Sequence, residues 1–134
     1  MNTNFLVNIF VGSRFLVNRK AVRKTVEESF HKHNIDSAWI DISIVGKRKM
    51  KELNKLRDKD GPTNVLSFTQ RDPGEGKTFP TTEGAIPHYG DIVLCYPVLI
   101  QEAAKKNKLV DELINYYVDH SIYHLLGKHY QEDV

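Results

Sequence analysis

Long apolar runs are missing from this chain, and none approaches the ~20 residues needed to cross a bilayer. No membrane span is therefore expected. The opening stretch MNTNFLVNIFVGSRF has neither a basic segment before its apolar part nor a small-residue cleavage site. It does not read as a secretory signal. Cysteine is almost absent: with Cys95 alone, no intramolecular disulfide can form, which fits a reducing cytoplasm. An excess of one charge is missing too. Nineteen basic residues face 17 acidic ones, and a net charge of +2 does not by itself indicate a nucleic-acid partner.

What is there is enough for one domain, residues 1–134, able to bury a core without disulfides or a structural metal. Two basic blocks stand out locally. Arg14, Arg19, Lys20, Arg23 and Lys24 form the first; Lys47, Arg48, Lys49, Lys51 and Lys55 form the second. Each is compatible with a solvated helix face or with contacts to a phosphate backbone.

The periodicity predicts an α+β pattern, β-α-β-α-β-β-α-α, in which a mixed sheet of about four strands packs with about four helices. Phe5 to Val11 is rich in β-branched and aromatic residues and reads as a strand. Asn18 is placed to cap a helix to about His33, with Val22, Val26 and Phe30 on one face. Ile40 to Ile44 alternates within the strand Trp39–Val45. A helix over Lys47 to Leu56 would bury Met50, Leu53 and Leu56. Thr63 to Phe68 gives a third strand after the turn signal Asp60-Gly61-Pro62. From Thr69 to Tyr89 there is no periodicity, and so long a loop in a small domain is usually functional or mobile. Asp91 to Cys95 makes a short strand, Pro97 to Asn107 a helix, and a final helix begins near Asp111.

That last helix carries the chemistry. In HSIYHLLGKHY, His120 and His124 are four apart, so both side chains lie on one helix face and can point at a common centre. Gly127 follows three later and can take the left-handed conformation that ends a helix and turns the chain back. The run follows H-x-x-x-H-x-x-G-x-x-H, the ligand pattern of the metzincin proteases, up to its last position, which is Tyr130. Those proteases place a glutamate base directly after the first histidine. Ser121 stands there and cannot act as that base, which argues against peptide hydrolysis.

Three segments together resemble the YbeY family of bacterial rRNA-maturation endoribonucleases. Leu53 to Phe68, LNKLRDKDGPTNVLSF, is similar to that family's signature ending R-x-x-D-x-PT-(D/N)-VLSF. Gly90-Asp91-Ile92-Val93 matches its GDI(V/I) strand, and His120 to Tyr130 resembles HG-x-x-HL-x-G-x-(D/H)-H. The resemblance implies a single α+β domain with one zinc ion per chain, held on the C-terminal helix. It also implies a metal-dependent, single-strand-specific endoribonuclease with roles in 16S rRNA 3′-end maturation and ribosome quality control. The implied partners are single-stranded RNA, rRNA and the small ribosomal subunit, in the cytoplasm. His120 and His124 match the first two ligands, and Arg57 matches the arginine that contacts RNA phosphate.

The chain departs from the family where Tyr130 occupies the position of the third histidine. His129 stands one place earlier, and Ser121 replaces the usual glycine. The third ligand is then Tyr130 as phenolate, His129 by a changed turn, or water beside two protein ligands. Glu132 and Asp133 lie on a short tail nearby. A second reading follows from Tyr130: a non-catalytic RNA- or ribosome-binding factor with a weakened metal site. A third is a metal-dependent hydrolase acting on another substrate.

Overall fold

A computed structural model describes residues 4–56, 63–69 and 86–130, with backbone alone for 128–130. Arg57, the Asp60-Gly61-Pro62 turn, most of the expected Thr69–Tyr89 loop, the side chains of His129 and Tyr130, and Glu132 and Asp133 lie outside the described residues.

The expected element order is the one observed. Strand β1 spans Asn4–Val11, helix α1 Arg19–His31, β2 Ser37–Val45, α2 Lys47–Leu56 and β3 Val65–Thr69. They are followed by β4 His88–Cys95, α3 Tyr96–Lys106 and α4 Val110–Tyr130. The sheet order is β1-β2-β4-β3: β1, β2 and β4 run parallel, and β3 lies antiparallel on the outer side of β4.

Strict alternation in β2 sends Ala38, Ile40, Ile42 and Ile44 to one face, where each is buried. They pack with Val7 and Ile92, with Val22, Val26 and Phe30 of α1, and with Ile114, Val118, Ile122 and Leu125 of α4. The opposite face is covered in part. There, Met50 and Leu53 of α2 and Val98 of α3 pack with Leu66, Val93 and Cys95. Cys95 is a free, buried thiol whose ionisation burial opposes, so it serves as core rather than nucleophile.

The caps explain where helices begin and stop. Asn18 accepts a hydrogen bond from the Ala21 amide at 3.0 Å and starts α1 as expected. Asn107, with φ 58°, takes the left-handed conformation that ends α3. The Glu112 carboxylate accepts from the Leu109 amide at 3.0 Å, half of a capping box at the start of α4.

Three expectations are corrected. Leu56 is 84% exposed, and Asn54 takes the buried place on α2, because helical spacing from Met50 brings residue 54 inward. Strand β4 begins at His88, three residues before Asp91, since pairing with β2 holds the added residues. Gly127 does not end α4. The helix continues to Tyr130, and among the described glycines only Gly90 has positive φ.

Candidate metal centre

The buried stripe of α4 is Leu113, Ile114, Val118, Ser121, Ile122, Leu125 and Leu126. His120 and His124 fall beside that stripe and are exposed, as one-turn spacing requires. Their Nε2 atoms converge to 3.0 Å, with the ring planes at 83°. The two nitrogens can share one proton, or they can share one cation. A tetrahedral zinc with imidazole nitrogens at about 2.0–2.1 Å holds them roughly 3.3 Å apart. The pair therefore fits that geometry with a shift of a few tenths of an ångström. Tyr116 stacks on His120 with centroids 5.9 Å apart, and Tyr123 meets His124 edge-on at 6.3 Å, so both rings are steered by neighbours one position or one turn away.

The histidine pair is joined to the sheet through the adjacent residue. Leu125 packs against Gly90 of β4, the glycine of the GDIV segment, which ties two of the three motif segments together in space. The arginine segment leads into β3, which pairs with β4 through Phe68 and Asp91 and through Thr69 and Gly90.

The basic blocks divide. Arg19 donates to the Ile9 carbonyl at 2.7 Å and Arg23 to the Val7 carbonyl at 3.1 Å, so two of the first five cations hold an edge strand. Arg14, Lys20 and Lys24 are exposed, as are all five cations of the second block.

A different group of ligand-type side chains escaped the sequence reading. Asp41 of β2 and His88 and Asp91 of β4 place one ligand atom each within 4.8 Å of one another, all partly buried. Asp91 belongs to the GDIV segment, His88 lies in the stretch without periodicity, and Asp41 sits on the β2 face opposite Ile40 and Ile42. Alternation puts residues 88 and 91 on opposite faces of a regular strand, so no sequence pattern signals their meeting. Burial and the neighbouring Asp41 carboxylate push the Asp91 carboxyl above its ordinary value, opposed by His88.

Fold and surface define the class first: a small α+β protein whose last helix presents a convergent pair of exposed histidines. More particularly, the sequence model of the family described as Endoribonuclease YbeY matches residues 14–133, and the chain belongs to that family. An Endoribonuclease YbeY from Francisella philomiragia is 38% identical over 104 residues, covering 77% of this chain and 63% of the relative. One from Parvibaculum lavamentivorans is 35% identical over 118 residues, covering 86% and 64%. The chain thus spans less than two thirds of the length of these relatives. A solution structure of a Thermotoga maritima protein superposes with a TM-score of 0.57 at 27% identity, covering 90% of this chain and 71% of that one. Among the described residues, no helix is long and apolar enough to cross a membrane.

Proposed function

We propose that this chain is a metal-dependent endoribonuclease that cuts single-stranded RNA and acts in rRNA maturation, at the 16S 3′ end on the small ribosomal subunit in the cytoplasm. The observation that carries the reading is the convergence of His120 and His124 Nε2 to 3.0 Å on an exposed helix face, in a chain of this family.

His120 and His124 would hold one zinc ion per chain. When bound, zinc supplies Lewis acidity at a phosphoryl oxygen and lowers the pKa of a water toward ~7. Arg57 stabilises negative charge developing on the phosphate through charge-assisted hydrogen bonds. The exposed cations Lys47, Arg48, Lys49, Lys51 and Lys55 contact the RNA backbone without reading its sequence. α4 is helical through Gly127, so His129 would reach the pair only if zinc binding turned the chain after that glycine. Tyr130, His129 and water remain the candidates. A neutral phenol is a poor ligand with an ordinary pKa near ~10, so an imidazole at position 130 would bind more tightly.

The test is zinc content of purified protein by mass spectrometry, together with cleavage of single-stranded RNA. The reading requires about one zinc per chain, chelator-sensitive cleavage, loss of cleavage in Arg57→Ala and His124→Ala, and tighter zinc binding in Tyr130→His. Cleavage that persists in chelator and in His124→Ala would overturn the metal mechanism. RNA binding with neither zinc nor cleavage would select the non-catalytic factor instead.

A further inference from the structure

On the sheet face away from α1 and α4, Asp41 and Asp91 are register partners on neighbouring parallel strands. His88 reaches them through an irregularity. Trp39 pairs with His88 but Ile40 pairs with Gly90, so Tyr89 and Gly90 together oppose a single step of β2. This bulge turns His88 onto the face of Trp39 and Asp41, while Tyr89 meets Phe30 in the core on the other side. Gly90 makes the bulge possible. Its φ is 152°, and a Cβ there would collide with the Phe68 carbonyl oxygen.

The three side chains bring one ligand atom each to a common centre, where Asp41 and Asp91 are also within hydrogen-bonding reach of each other. Asp41 Oδ1 accepts from Asn8 Nδ2 at 2.8 Å and from Trp39 Nε1 at 3.0 Å, which fixes the carboxylate from its far side. Its Oδ2 lies 3.2 Å from His88 Nε2. That nitrogen is fully buried, yet it makes no hydrogen bond among the described residues. Donors that orient a carboxylate from behind are the outer-shell support typical of metal sites. Trp39 stacks on His88 with centroids 4.0 Å apart and planes at 13°, which fixes the imidazole.

We propose that Asp41, His88 and Asp91 form a second cation site, for a first-row divalent transition metal, that clamps the β4 bulge to β2. One imidazole and two carboxylates suit zinc, cobalt or manganese, whereas magnesium and calcium prefer oxygen ligands throughout. The site lies on the opposite sheet face from α4, so it does not depend on the His120/His124 pair or on the activity proposed for it.

Trp39 is the chain's single tryptophan, and it touches both His88 and Asp41, so its fluorescence reports on this site with no second indole to obscure it. Cobalt is titrated into the metal-free 134-residue chain carrying His120→Ala and His124→Ala, which removes the helix pair. Saturable quenching at one equivalent, reversed by zinc, is expected. Adding His88→Ala or the near-isosteric Asp91→Asn should weaken the apparent affinity by about tenfold or more. Circular dichroism confirms that each variant is folded, and two different substitutions guard against loss of one. Absence of saturable quenching up to millimolar cobalt would overturn the proposal. So would quenching that is unchanged in both folded variants, which would leave the three groups as an ion pair beside a partly buried acid.

Discussion

Arg23 donates to the carbonyl oxygen of Val7 at 3.1 Å, and with Arg19 on Ile9 it seals the outer edge of β1. An edge strand presents unpaired backbone groups that can recruit another chain. Removing both arginines should cost about 1 kcal/mol per hydrogen bond. It should also expose a row of free carbonyls. Arg19→Ala/Arg23→Ala is expected to show a lower urea midpoint and concentration-dependent association in sedimentation velocity. A variant with the wild type's sedimentation behaviour and an unchanged midpoint would show that the contacts are incidental.

The hydroxyl of Tyr117 donates to Glu102 Oε2 at 2.6 Å, on the shared surface of α3 and α4. Burial, that hydrogen bond and the carboxylate's charge push the Tyr117 pKa up to about 12. A raised folded-state value means the stabilisation is complete below the unfolded pKa near ~10 and is lost as pH rises through about 12. In an alkaline absorbance titration, one of the six tyrosines should ionise late, and Tyr117→Phe should remove that late step. The substitution should cost about 1–2 kcal/mol, limited by the Lys106 and Asn64 contacts that still hold Glu102.

Asp119 joins α4 to α1 through the Ser29 hydroxyl and Lys32. Burial works against its charge, but Ser29, Lys32 and His33 outweigh that and hold the carboxyl below its ordinary value. A depressed folded-state pKa gives stability that is present above the unfolded value near ~3.9 and lost as pH falls through the folded one. Ser29→Ala should therefore cost about 1 kcal/mol at neutral pH, a modest figure because the Asp119 side chain is 43% exposed. The gap between wild type and variant in urea midpoint should narrow in acid. An equal gap at pH 7 and in strong acid would separate the hydroxyl's effect from the charge.

What the sequence made legible is what depends on local pattern. The alternation Ile40–Ile42–Ile44 exposed β2, Asn18 marked the start of α1, and four-residue spacing brought His120 and His124 together. What stayed hidden depends on pairing between distant segments. The bulge at Tyr89 and Gly90 exists only because β2 and β4 pair out of step, so no pattern within residues 88–91 could announce that His88 shares a face with Asp91. Arg19 and Arg23 read as part of a basic surface because helical spacing shows which way they face, not that edge carbonyls wait there.

Gly127 departs from the expected helix stop for a related reason: glycine permits a left-handed stop but does not impose one. Burial of Leu125 and Leu126 against the sheet carries α4 past it, and a Cβ at 127 would meet nothing within 4 Å. Gly127→Ala should then stabilise the metal-free protein by about 0.5–1 kcal/mol, the ordinary helix-interior difference between the two residues. Zinc stoichiometry at the His120/His124 pair should be unchanged, since neither histidine moves. Calorimetric melting and zinc titration of the two proteins side by side check both statements. If alanine instead lowers the melting temperature and abolishes zinc binding, the bound state turns the chain at Gly127, and the third ligand comes from the residues that follow it.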